Sequence, residues 1–372
     1  MRVRAAVAQE RSRPFVFEEL ELDEPQGDEV LVAVTATGVC QTDAHVRSGH
    51  IPVPLPIVLG HEGAGVVERV GPDVMGLKPG DHVVLSFLAC GHCAQCLSGR
   101  PAYCDDAVAA NFSGARLDGT RGLRRTGAGN GDVHGHFFGQ SSFATHALAT
   151  ERNTVKVPGD APLELLGPLG CGLQTGAGAV LNSLDVPAGA AVAVLGVGAV
   201  GFGALMAARL SGAGTIVAVD VNPRRLALAE ELGATHALDA RHVDVAKEIR
   251  RITGRGAAFV LDTTGRADML DHAIDSLAPT GQVGLVAGGP GTVPASKLGL
   301  GMAVRGIVQG DAVPRLFIPK LVQMYQSGRF PIDRLVQFYE FGDIDAAFAD
   351  AARGDVVKPV LRIADSGGSE KE

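Results

Sequence analysis

The sequence predicts a mixed α/β chain in two parts, the first mainly β and the second a doubly wound parallel sheet. Three observations carry this. The chain has 372 residues, more than one hydrophobic core usually organises. Its first third is a series of short, alternating, β-branched runs broken by turn residues. From about residue 190, apolar strands alternate with helical stretches, the βαβ succession of a parallel sheet with helices on both faces. The boundaries expected are 1–172 with 311–372 for the first part, and 173–310 for the second.

In chain order, VRAAVAQ, FVFEELEL and EVLVAVTATGV read as strands, the last following the turn Pro25-Gln26-Gly27-Asp28. GAGVVERVG and GDHVVLS continue the pattern. Turns at Gly71-Pro72-Asp73 and Lys78-Pro79-Gly80-Asp81 give the close punctuation of a small antiparallel barrel.

Cys90, Cys93 and Cys96 follow, closed by Cys104. The spacing C-x-x-C-x-x-C-x7-C brings four thiolates within reach of one tetrahedral ion and leaves no position for a substrate, so it reads as a structural metal site. His50 and His92 read as solvated loop residues. Residues 105–136 are glycine-rich and polar, without periodicity, and read as a long functional or mobile loop; their glycines follow no strand and make no phosphate-binding frame. FFGQSSFATHALA then restores a strand, NTVKVP adds another, and the helical stretch APLELLGPLGCGLQTGAGAVLN delivers Cys171 and Thr175.

Cys40, His61 and Cys171 form a second Cys/His/Cys set, with no regular spacing. Such a set suits a catalytic metal assembled by folding, because three protein ligands on Zn²⁺ leave one position open for a substrate oxygen whose proton the cation makes easier to lose.

Composition narrows the alternatives. The chain is 46% hydrophobic and 20% charged, with a net charge of -8 and no lysine or arginine block, so no nucleic-acid partner is expected. No apolar stretch reaches the roughly 18 residues that cross a bilayer, and the N-terminus shows no export signal, so a cytoplasmic protein without a membrane partner is expected. Four of the six cysteines crowd between 90 and 104, which fits metal binding in a reducing compartment rather than a disulfide framework.

In the second part AAVAVLG, then GVGAVGFGALMAARLSGA, reads as strand, glycine turn and helix. Gly196, Gly198 and Gly201, with Val200 between them, make the G-x-G-x-x-G frame that lets a backbone approach a pyrophosphate. The next strand ends at Asp220, where a carboxylate can accept from both ribose hydroxyls of NAD; helix N-capping is the other role open to it. Arg224 and Arg225 could accommodate a 2′-phosphate and so work against strict NAD preference. Further alternation runs to AVRGIVQGDAV as the last strand. The helix VPRLFIPKLVQMYQSGRF and the runs LVQFYEF, IDAAFADAARG and VVKPVLRI return to the first part, before a polar tail, ADSGGSEKE, expected to be disordered.

With both cysteine sets, the GHEGAG run and the dinucleotide turn, the sequence resembles the zinc-containing medium-chain alcohol dehydrogenases over almost its whole length. NFSGARLDG, FFGQSSFATHA and VKPVLRI resemble the aryl (benzyl) alcohol dehydrogenase branch. The resemblance implies a GroES-like catalytic domain, a Rossmann coenzyme domain, NAD, and two zinc ions per subunit. One ion, catalytic, would be held by Cys40, His61 and Cys171, and one, structural, by Cys90, Cys93, Cys96 and Cys104. It further implies that Glu62 approaches the catalytic metal from behind, that Asp43 orients a ligand histidine, and that Thr42 and His45 relay the alcohol proton. Thr175 would pack by the nicotinamide and Lys358 would lie near the pyrophosphate. Gln41 departs from the family, where arginine or histidine is frequent, and removes one charged phosphate contact. A homodimer or homotetramer is expected by analogy.

The function expected is reversible NAD-dependent oxidation of a primary aryl or allylic alcohol to the aldehyde. The alternatives are a thiol-dependent formaldehyde dehydrogenase of the same fold, acting on a hydroxymethyl-thiol adduct; a polyol dehydrogenase, which usually lacks the four-cysteine loop; and a non-enzymatic protein that retained the fold.

Overall fold

The computed structural model describes residues 1–125 and 133–363. The tail expected to be disordered, and residues 126–132 of the glycine-rich segment, lie outside the described residues. The chain divides into two compact units, Met1–Cys171 with Val313–Glu372, and Gly172–Ala312.

The first unit is built on the strand Glu29–Gly38. Its Val30, Leu31, Val32, Val34 and Ala36 are all buried, which an alternating strand achieves only when both faces are covered. Gly63–Val70 pairs with it antiparallel, Val30 opposite Val70 and Ala33 opposite Val66. Gly65 permits that approach, since a Cβ there would stand 2.1 Å from the Ala33 carbonyl oxygen. The sheet continues through His82–Leu85 to Thr154–Lys156 on one side, and through Lys358–Arg362 to Val336–Glu340 on the other. A smaller sheet orders Ile57–Val58, Arg2–Ala8, Val16–Leu22 and Leu123–Arg125. Leu20, Leu31, Phe137, Phe143 and Leu361 share the core of this unit.

Three local expectations are corrected. The 105–136 segment is not a featureless loop: it contains the helix Ala107–Phe112 and the strand Leu123–Arg125, and Arg116 bonds Glu29 at 2.6 Å and Asp23 at 3.3 Å. FFGQSS is not a strand. It forms a 3₁₀ turn at Phe137–Gly139, with positive φ at His136, Phe138 and Ser141, and the strand begins only at His146. The long helix around Cys171 is broken into Leu163–Leu166, a 3₁₀ turn Gly167–Gly170 and Gly172–Gly178, with Cys171 itself at φ -142° and ψ -87°.

The second unit is a Rossmann-type sheet of six parallel strands, ordered His236–Asp239, Thr215–Asp220, Ala191–Leu195, Ala257–Asp262, Leu277–Leu285, Ala303–Gly306. Order reverses at Ala191–Leu195, the switch point where such sheets bind ligands. Helices Ala199–Leu210, Pro223–Leu232, Val245–Thr253 and Ala267–Asp275 join the strands. Asn222 caps the second by accepting from the Arg224 and Arg225 amides, with Pro223 at the first helical position. Among the described residues no helix is long and apolar enough to cross a membrane.

Candidate functional site

The first cluster is assembled by the helix Gln41–Ser48 and the turn that follows Leu59. Cys40 is the extended N-cap of this helix, and its amide donates to Asp43 Oδ2 at 3.1 Å. Asp43, fully buried, uses its other oxygen to accept from the Gly60 amide at 3.1 Å and from His61 Nδ1 at 3.0 Å. Gly60 sits at φ +88°, where any Cβ would strike Phe143. The imidazole of His61 is stacked on Phe138, with ring centroids 4.5 Å apart, and met edge-on by Phe137. Its orientation is thereby fixed from three sides, and its Nε2 is buried with no hydrogen-bond partner among the described residues.

That nitrogen belongs to a group formed by Cys40, His61, Glu62 and Cys171, whose ligand atoms all lie within 4.8 Å of one another. The bond from the Cys171 thiol holds the Cys40 thiol well below its ordinary range, and the same bond with burial pushes Cys171 up. Burial pushes the Glu62 carboxyl up to about 7 against the pull of Lys358.

Lys358 corrects an expectation. It is 2% exposed, and its ammonium group donates to both oxygens of Glu62, at 2.9 and 3.0 Å, and to the Val39 carbonyl at 3.1 Å. Three partners use all three of its N–H bonds, so none is left for a coenzyme phosphate. Its role is to pair Glu62 beneath the cluster.

A second cluster joins Cys90, Cys93, Cys96 and Cys104, again within 4.8 Å. Amides point at its sulfurs: Cys90 to the Cys104 sulfur at 3.3 Å, Cys93 to that of Cys90 at 3.4 Å, Cys96 and Asp105 to that of Cys93 at 3.5 Å. Such bonds favour thiolate; the Asp105 and Cys96 amides bring Cys93 down to about 7, while burial raises Cys96 to about 12. None of the six cysteines forms a disulfide. Four sulfurs around one point, and two sulfurs with an imidazole lone pair around another, both suit zinc.

In the second unit, Gly196 ends its strand at φ +86°, and a Cβ on Gly201 would stand 2.1 Å from the Gly196 carbonyl oxygen. Gly198 is the helix N-cap, and a Cβ there would meet nothing within 4 Å. This open cradle at a helix N-terminus fits a pyrophosphate. Half-buried Val200 lies between them. Asp220 accepts from the Val197, Val221 and Asn222 amides at 2.8 to 2.9 Å, and Asn222, not Asp220, caps the following helix. Arg225 holds a buried Nε without a hydrogen-bond partner among the described residues. Thr175 is buried, its hydroxyl 3.4 Å from Gln309.

Thr42 and His45 lie three positions apart on the helix Gln41–Ser48, the spacing that puts two side chains on one face. His45 is exposed, its ring 5.7 Å from that of His50, and Gln41 is exposed at the first helical position. Sequence reasoning missed Gln140, whose amide holds the His61 and Ser86 carbonyls and the Gly63 amide. A lone amide inside the apolar run FFGQSSF was the available signal. It also missed Phe138, whose stacking role leaves no mark in sequence.

Fold and clusters together define a two-unit, metal-binding dehydrogenase. Residues 26–159 match the family model described as "Alcohol dehydrogenase GroES-like domain", and residues 199–323 that described as "Zinc-binding dehydrogenase". The chain is 48% identical over 364 residues to geraniol dehydrogenase of Castellaniella defragrans, covering 96% of each. It superposes on the crystal structure of benzyl alcohol dehydrogenase from Acinetobacter calcoaceticus with a TM-score of 0.94 at 46% identity, covering 98% of this chain and 100% of that one. S-(hydroxymethyl)glutathione dehydrogenase of Paracoccus denitrificans is 35% identical, covering 97% of this chain and 100% of its own. The chain belongs to the zinc-containing medium-chain alcohol dehydrogenase family. It is an oxidoreductase that uses zinc and a nicotinamide coenzyme.

Proposed function

We propose that this enzyme oxidises primary alcohols carrying an adjacent π-system, allylic or benzylic, to the aldehyde, reversibly and with NAD. The observation that carries the reading is His61, held through Nδ1 by Asp43 while its unpartnered Nε2 faces Cys40 and Cys171. Cys40, His61 and Cys171 would hold one zinc ion, and Cys90, Cys93, Cys96 and Cys104 a second. When bound, zinc supplies a Lewis acid that acidifies an alcohol, and the nicotinamide accepts hydride.

The chain's own residues do the rest. Asp43 keeps the ligand tautomer of His61. Thr42 takes the alcohol proton into a hydrogen-bonded path, and exposed His45 passes it to water. The Gly196–Gly201 turn seats the pyrophosphate and Asp220 the adenosine ribose, where a carboxylate repels a 2′-phosphate and so favours NAD. Arg225 would lie beside that ribose, and Thr175 beside the nicotinamide. Glu62, next to His61 and paired with Lys358, would stand behind the metal.

The substrate class is supported by relatives named for geraniol and benzyl alcohol, at 48% and 46% identity, against 35% for the glutathione-adduct enzyme. An adjacent π-system stabilises positive charge on the carbon that loses hydride. A cytoplasmic location and a homodimer or homotetramer belong to the same reading, the first supported by six cysteines that form no disulfide. The test is a panel of benzyl, cinnamyl, geranyl and short aliphatic alcohols with NAD and with NADP, plus formaldehyde with glutathione. Faster NADH formation with the aliphatic alcohols, or turnover only with the thiol adduct, would overturn it.

A further inference from the structure

The helix Gln41–Ser48 carries Thr42, Asp43 and His45, yet it has only 8 residues. Helices below about 12 residues are marginal alone in water, so contacts must set its position. Asp43 anchors its first turn through Cys40 and Gly60. Its last turn is anchored by Arg47.

The Arg47 carbonyl accepts from the Ser12 amide at 2.8 Å. Its side-chain Nε donates to the Arg13 carbonyl at 2.9 Å, and Nη2 to Asp345 Oδ1 at 2.6 Å. Asp345 Oδ2 accepts from the Phe15 amide at 3.1 Å, which closes the network. The guanidinium also lies over two rings, 4.6 Å from the Phe15 centroid and 5.3 Å from that of Phe348. One side chain thus ties the helix to the N-terminal segment and to the helix Ile344–Arg353, 298 residues away. Arg47 is 17% exposed, so the network is partly withdrawn from solvent, which strengthens charge-assisted bonds.

Arg47 is two residues from His45, and neighbours at that spacing point to different sides of a helix. It therefore acts on His45 through the backbone. We propose that Arg47, with Asp345, is a positioning residue for proton removal: it fixes the rotation and tilt of this helix so that the face shared by Thr42 and His45 stays turned toward the alcohol whose proton they remove. This rests on the proton path given under Proposed function. Proton transfer requires heavy atoms within about 3.2 Å, so a small rotation of the helix, which carries Thr42 and His45 together, withdraws both from the reacting alcohol without removing either residue.

The test uses the zinc-loaded enzyme at saturating NAD and alcohol, in H₂O and in D₂O. Arg47→Met keeps an apolar stem against Phe15 and Phe348 but loses every donor. It should lower kcat about tenfold with KM values changed by less than about twofold, and raise the solvent isotope effect on kcat as proton removal becomes rate-limiting. Asp345→Asn should move both quantities the same way, Arg47→Lys should recover part of the loss, and zinc content should stay constant. A fall in kcat with an unchanged isotope effect assigns Arg47 a purely structural role and overturns the proposal. His45→Ala separates the two readings. If it leaves the isotope effect unchanged, the proton path itself is wrong and the proposal falls with it; if only Arg47→Met leaves it unchanged, the path stands and the positioning role falls. Should Arg47→Met not fold, Asp345→Asn decides by the same criteria.

Discussion

Asp43 Oδ1 stands 3.0 Å from Nδ1 of His61, and this contact decides which imidazole nitrogen is left for a metal. A carboxylate there requires Nδ1 to carry the hydrogen, so the lone pair is on Nε2, inside the Cys40–Cys171 cluster.

Asp43→Asn keeps the size but removes the charge that fixes this tautomer. Zinc affinity at the first cluster should fall about 10- to 100-fold, with a parallel loss of turnover at limiting zinc. Competition with a colorimetric chelator measures it. An unchanged affinity would show that Asp43 does not set the ligand state of His61.

Lys358→Met should be strongly destabilising. It leaves Glu62, fully buried, without its cation, and stripping one partner from a buried pair costs about 3–5 kcal/mol. Pairing it with Glu62→Gln should restore most of that stability in urea unfolding. Equal losses in the single and the double variant would mean that the packing of the lysine stem, not the charge, matters.

His136 makes stability depend on pH. Burial and the nearby Arg116 lower its pKa to about 4 from 6.5, so between those values the unfolded chain binds a proton that the native chain refuses. Stability attributable to this residue should be full above about pH 6.5, fall as pH drops towards 4, and total roughly 3 kcal/mol. His136→Asn, which tolerates the φ of 53° found there, should flatten the slope of unfolding free energy between pH 7 and pH 4.5. A slope equal to that of the parent enzyme would refute the assignment.

The two glycines of the coenzyme turn should respond differently to the same change. In Gly201→Ala the added carbon meets the Gly196 carbonyl at 2.1 Å, so thermal stability should fall; in Gly198→Ala it enters open space, so stability should hold while NAD affinity drops. Thermal melts and titration of the purified variants separate the two effects. Undiminished NAD binding by Gly198→Ala would count against the cradle.

Removal of zinc from the second cluster should unfold its lobe locally rather than block chemistry directly. Cys104→Ser should carry about one zinc equivalent fewer and melt at a lower temperature, because a metal held by the four sulfurs would close this segment. Metal analysis with calorimetry checks both, and an unchanged melting temperature would remove its structural role.

Much of this architecture was legible in the chain because it is written locally. AAVAVLG and TIVAVD are strands for their apolar continuity, and the glycines between Leu195 and Phe202 announce a turn that needs glycine at positions 196 and 201. What stayed hidden depends on partners distant in sequence. FFGQSSF alternates like a strand, yet its buried Gln140 and stacked Phe138 require a turn wrapped around His61, whose place is known only after folding. Lys358 was placed near the pyrophosphate by the family resemblance; Glu62, 296 residues earlier, claims it. The 105–136 segment concealed its order because Arg116 finds its partners, Asp23 and Glu29, far away in sequence.

The strand Lys358–Arg362 lies between Val336–Glu340 and Glu29–Gly38 in the central sheet of the first unit. A ribosome therefore finishes the interrupted unit last. The continuous stretch Gly172–Ala312 can acquire its native form while synthesis proceeds, but the interrupted unit must wait, incompletely paired along one edge, until Lys358–Arg362 has been made. Premature termination just ahead of Lys358 would strand both Glu62 and the edge of Glu29–Gly38, leaving a product prone to aggregate.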